Sequence, residues 1–281
     1  MIFLQFCLLF VAAILGGALN SVAGGGSFIA FPALIFTGVP PINANATNTV
    51  ALWPGSVAST GAYRKELAQQ QRSVLIVLSG MSLIGGTLGA LLLLHTSQAT
   101  FVRLIPYLLL VATLLFAFGC RITTYVRERR RRARQLEIDN PSLVSLEETQ
   151  DEKLVVPSTV PSQFALAGIA LIQLVIATYG GYFGGGIGIL MLAALELMGM
   201  ENIHVMNALK TLLTSFINGV AVITFAIAGA VVWPQALLMV VGAIIGGYSG
   251  AYFARKIDPR WVRLFVILVG FSMTTYFFIR Q

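Results

Sequence analysis

The chain has 281 residues, of which 57% are hydrophobic and only 10% charged, and its mean hydropathy is +0.85. A soluble domain of that size carries about 25% charged residues, so the composition excludes an ordinary soluble protein and indicates an all-α polytopic membrane protein. The net charge of +7 does not point to a nucleic-acid partner. Of the 18 basic and 11 acidic residues, 15 lie between Arg121 and Lys153, and most other basic residues flank apolar segments, as they do in cytoplasmic loops.

Ile2–Val22 is the first apolar segment; with no basic region ahead of it, it reads as a retained membrane helix. Gly24, Gly25 and Gly26 break it, and a short apolar piece, Phe28–Phe36, runs to the stop at Gly38-Val-Pro-Pro41. Asn43–Tyr63 follows, with a kink expected at Pro54-Gly55. After the basic loop Arg64–Arg72 come Val74–Leu94 and Phe101–Cys120. Arg121–Pro161 is polar. It opens on the arginine run Arg127–Arg134, turns acidic at Glu147, Glu148, Asp151 and Glu152, and reads as a cytoplasmic linker that touches anionic lipid. Phe164–Tyr182, the triplet Gly184, Gly185 and Gly186, the short Ile187–Leu197, Ile203–Ala228, Trp233–Phe253 and Trp261–Ile279 complete the chain. His95 and His204 stand alone near segment ends, and the cysteines Cys7 and Cys120 have no metal-ligand spacing, so no metal or other cofactor is expected.

Four blocks recur in the same order. Gly24–Gly26 matches Gly184–Gly186; Asn45, Ala46 and Thr49 match Asn207, Ala208 and Thr211; Ile84–Ala90 matches Ile245–Ala251; Phe101–Leu104 matches Trp261–Leu264. The expected organisation is therefore two homologous membrane halves, residues 1–120 and 162–281, joined by the linker 121–161. If the glycine-led pieces span, each half has five segments and the second is inverted; if they re-enter, each has four and the halves run parallel. Loop charge favours inversion. Arg64, Lys65 and Arg72 occupy a first-half loop whose counterpart Ala230–Trp233 is uncharged, whereas Arg255, Lys256 and Arg260 correspond to the uncharged His95–Thr100.

The segments after the two breaks carry matched polar faces. Asn45, Asn48, Thr49 and Ser56 fall at i, i+3, i+4 and i+11, and Asn207, Lys210, Thr211 and Asn218 repeat that spacing. Polar side chains in a membrane helix face the bundle interior, where they pair or line a pathway. Interhelical hydrogen bonding accounts for any one of them, but two matched faces beside two glycine breaks indicate a substrate site. Amides, hydroxyls, the Lys210 ammonium and the starts of short helices supply donors, so the site is expected to bind an anion. Glu196 is the carboxylate available for coupling, or for a buried pair with Lys210. Trp53, beside Pro54, would wall the pathway or simply pack. Nothing resembles a nucleophile with its base or a phosphate-binding loop, so no enzymatic activity is expected.

At these residues the chain resembles the sulfite/organosulfonate exporter family (TauE/SafE). The likeness rests on the first glycine triplet, the piece ending at Pro41, the Asn45-Ala-Thr-Asn48 helix with Pro54-Gly-Ser56 and Ala62-Tyr-Arg64, and the second triplet with Asn207–Thr211. It spans the chain except the Arg-rich linker, which is longer and more charged than the resemblance implies. It implies secondary transport of small sulfur-containing or carboxylated anions, usually outward; the expected mechanism is alternating access of two inverted halves in the cell membrane. Lipid and a small anion are the expected partners, with a homo-oligomer an open alternative. Two other functions fit the residues: a channel-like anion conduit, and a membrane scaffold or assembly factor acting through the Arg-rich linker.

Overall fold

The computed structural model describes residues 2–22, 25–68, 70–139, 163–198, 200, 202–253 and 259–279. Eleven helices are found among them: α1 Ile2–Val22, α2 Ser27–Phe36, α3 Pro41–Ala62, α4 Arg64–Ala68, α5 Arg72–His95, α6 Gln98–Asp139, α7 Gln163–Tyr182, α8 Ile187–Leu197, α9 Ile203–Ile227, α10 Trp233–Phe253 and α11 Pro259–Ile279. Phe3–Asn20 and the helices Arg72–His95 and Ile203–Ile227, together with Gln98–Phe118, are long and apolar enough to cross a membrane. Large apolar side chains such as Ile76, Leu171, Val175 and Ile227 face outward, as lipid contact requires. The protein is an all-α polytopic membrane protein.

Three local features depart from the expected segments. α6 runs to Asp139, well past Cys120, because arginine, glutamate and glutamine are good helix formers although their hydropathy is low. α3 begins at Pro41, two residues before the expected Asn43, where a missing N–H costs nothing. The basic loop contains α4, whose Leu67 packs under the Leu209–Leu213 cluster of α9.

Helix packing pairs early helices of the chain with late ones. α1 lies on α10 and α5 on α7; α3 packs on α9 and α6 on α11; α6 touches α8 as α11 touches α2. Exchanging α1, α2, α3, α5 and α6 for α7, α8, α9, α10 and α11 returns the same main pairs. The close approaches are made by small residues. A Cβ on Gly85 or Gly89 would strike the α7 backbone at Leu174–Thr178 and Thr178–Tyr182, and one on Gly242 or Gly246 would strike α1 at Phe10 and Ile14.

These contacts also give direction. Phe10, Ile14 and Gly17 meet Gly242, Gly246 and Gly247 in turn, and Ser82, Gly85 and Gly89 meet Gln173, Ala177 and Tyr182, so both pairs run parallel. Asn43, Trp53 and Thr60 instead meet Ala230, Gly219 and Ser215, and Tyr107 and Thr113 meet Phe278 and Gly270. α3–α9 and α6–α11 are therefore antiparallel.

Candidate functional site

The two glycine breaks come together against α3 and α6. Asn45 Nδ2 donates to the Tyr182 carbonyl, just before the second triplet, at 3.0 Å, and Asn48 Nδ2 donates to Ser27 Oγ, just after the first, at 3.1 Å. A single helix face thus holds both breaks. On the other side Phe116 lies against Gly25, and Ala112, one turn earlier on α6, lies against Gly186. Phe31 of α2 meets Phe183 edge to face at 5.7 Å, and Tyr179 Oη donates to the Gly185 carbonyl at 2.6 Å. Gly24 lies outside the described residues.

The triplets achieve their breaks differently. Gly184 and Gly186 have φ of +75° and +73°, the left-handed region where a side chain is strained. Gly26 has helical angles, and glycine is required there because a Cβ would collide with the Gly16 carbonyl of α1. Both short helices, α2 and α8, start without a side-chain cap.

The second polar face gathers at the start of α8. Lys210 packs its Cδ against Gly188 and donates from Nζ to Asn207 Oδ1 at 3.0 Å. Glu196 is buried eight residues further along α8 from Gly188, about 12 Å of helix. Asn207, rather than Glu196, is the polar partner of Lys210 among the described residues.

Other expected members play narrower parts. The Thr49 and Thr211 hydroxyls turn back to the carbonyls of Asn45 and Ala208. Ser56 takes part through its carbonyl, which accepts from Thr60 Oγ1 at 3.1 Å. Asn218 is half-buried next to Gly219, whose backbone packs on the Trp53 ring, while Trp53 Nε1 donates to the Ser215 carbonyl at 3.0 Å. The donor inventory read from residue types therefore shrinks. The amide nitrogens of Asn45 and Asn48 and both threonine hydroxyls are engaged within the protein, while Asn45 Oδ1 and Asn48 Oδ1 are buried without a hydrogen-bond partner.

Sequence reasoning missed Ser27, the Tyr182 carbonyl, Tyr179 and Thr47, whose Oγ1 accepts from Val232 N at 3.0 Å. With the bonds from Asn43 Nδ2 to the Ala230 carbonyl and from Gln98 Nε2 to Asn43 Oδ1, Thr47 fastens the start of α3 to the α9–α10 turn and to α6. The signal was present in Asn43 and Thr47, polar residues one turn apart at the start of that segment.

The profile of the family described as "Sulfite exporter TauE/SafE" matches residues 9–277. A "Probable membrane transporter protein" of Haemophilus influenzae is 26% identical over 270 residues, covering 96% of this chain and 91% of that protein. "Probable membrane transporter protein ORF9" of Sinorhizobium sp is 28% identical over 274 residues, covering 94% and 89%. "Probable membrane transporter protein YunE" of Bacillus subtilis is 27% identical over 283 residues, covering 95% and 96%. No solved structure matches the chain.

Proposed function

We infer the function from one premise: the chain belongs to the sulfite exporter TauE/SafE family and is a multi-pass membrane transporter. On this reading it carries small anions of the sulfite or organosulfonate kind outward, through a site between two inverted halves that open alternately.

The observation that carries the reading is the meeting of both glycine breaks on one face of α3. Each break starts a short helix without a side-chain cap, and such a start turns roughly half a positive charge toward an anion. Lys210 adds an ammonium beside the first turn of α8. The inverted arrangement draws support from the helix directions. Ten alternating segments, with α4 part of a loop, make α1–α10 and α5–α7 parallel and α3–α9 and α6–α11 antiparallel. Eight alternating segments, with α2 and α8 turned back, would make α3 and α9 parallel. Residues 1–120 and 162–281 are accordingly the two halves, with the basic loops and the linker 121–161 on the cytoplasmic side.

The membrane potential favours outward movement. An anion leaving a negative interior gains about 2.3 kcal/mol per charge for each 100 mV, and a dianion about twice that. Efflux of sulfite, thiosulfate and a sulfonate from cells with and without the protein tests the substrate class. Protein-dependent efflux of at least one of them supports the reading, and protein-independent efflux of all three removes it.

A further inference from the structure

The polar faces of α3 and α9 differ at two matched positions, and the difference at one of them concerns a positive charge. Asn45 matches Asn207, and Asn48 matches Lys210. In α9 the Asn207 amide oxygen receives the Lys210 ammonium at 3.0 Å. In α3 no ammonium is present, and the oxygens of both Asn45 and Asn48 lack a hydrogen-bond partner although the residues are only 2% and 3% exposed.

The orientation of the first oxygen is chemically fixed. Asn45 Nδ2 faces the Tyr182 carbonyl, which can only accept, so rotating the amide would set two acceptors against each other. Asn48 Nδ2 faces Ser27 Oγ. The two side chains stand one turn apart on the same face, in a core built from Ala44, Ala46, Phe31 and Phe183. Tyr182 is also the last residue of α7, so the carboxyl end of that helix points at Asn45 with its partial negative charge. Two buried amide oxygens without partners, the Asn45 one beside a helix carboxyl end, match a cation and not an anion. Unwound backbone and helix carboxyl ends serve coupling cations in this way in transporters with broken helices. The ligands are neutral amides, whereas a divalent ion draws on carboxylates, so the ion is monovalent.

We propose that Asn45 Oδ1 and Asn48 Oδ1 are ligands of an alkali-cation site, in which the ion takes in the first half the place that the Lys210 ammonium takes in the second. The site is distinct from the anion subsite at α8, and a cation bound there couples its own movement to that of the substrate and lowers the net charge carried.

The test uses the purified full-length protein, with its thermal unfolding midpoint followed in lithium, sodium, potassium and choline chloride at matched ionic strength. No sulfite or sulfonate is present, so the outcome does not depend on the anion assignment. At least one alkali ion is expected to raise the midpoint saturably over choline. Asn48→Lys, which gives α3 the α9 pair, is expected to remove that response while raising the midpoint in choline. Identical curves in all four salts for the wild type, the result if the amide oxygens bind only water, would overturn the proposal. A response that persists unchanged in Asn48→Lys would overturn it as well.

Discussion

At the start of α2, Gly26 has φ −58° and ψ −34°, ordinary helical angles, and its hydrogen is turned to the Gly16 backbone. At the start of α8, Gly184 and Gly186 hold φ of +75° and +73°, and a Cβ on Gly186 would come no nearer than 3.4 Å to Ala112. The same three-letter signature therefore answers two demands: close packing before α2 and left-handed backbone before α8. The halves diverge again one helix later, where α9 carries its own cation and α3 presents amide oxygens. One short glycine signature can thus serve two different backbone demands.

The largest expected effect is all-or-none. Reporters fused after Leu94 and after Lys256, at equivalent loops of the two halves, should lie on opposite sides of the membrane. Equal sidedness would end the inverted reading.

Substitutions at the triplets come next. Gly26→Ala forces α1 and α2 apart and should destabilise the protein by about 1–3 kcal/mol, the usual cost of overpacking. Gly186→Ala should cost about 1–2 kcal/mol through backbone strain alone. Asparagine sharpens the contrast, because it tolerates the left-handed region. Gly186→Asn should recover part of the loss measured for Gly186→Ala, whereas Gly26→Asn should be no better than Gly26→Ala. Unfolding midpoints in detergent decide this, and recovery at Gly26 but not at Gly186 would reverse the assignment.

The smallest expected effect is a gain. Gly80 in α5 has open space where a Cβ would be and stands where the second half has Val241. Gly80→Ala should stabilise the protein by up to about 1 kcal/mol from helix propensity; a loss of stability would show a packing role for this glycine after all.

Helix limits were largely legible because hydropathy and glycine or proline stops mark them. α1, α8 and α10 begin and end at the residues expected from sequence. The continuation of α6 past Cys120 was not, since helix propensity and apolar character part company in an arginine-rich stretch. The polar faces of α3 and α9 followed from spacing, and the swap of loop charges points the same way as the helix directions. Which polar atoms remain open could not be read. The partner of Asn45 is 137 residues away and that of Asn48 is 21 residues away, and spacing along one helix carries no information about either. A count of donors by residue type therefore overstated the anion character of α3, while the Lys210–Asn207 pair, three residues apart, lay within reach of local reasoning.

Anion flux through Lys210 tests the account most directly. In proteoliposomes loaded with sulfite or a sulfonate, the wild-type protein should give saturable efflux. Lys210→Gln, folded to the same unfolding midpoint within error, should reduce kcat/KM for that efflux by about tenfold or more, the consequence of losing roughly 1.4 kcal/mol of anion stabilisation. Equal efflux from the two proteins would contradict the placement of the anion at the start of α8.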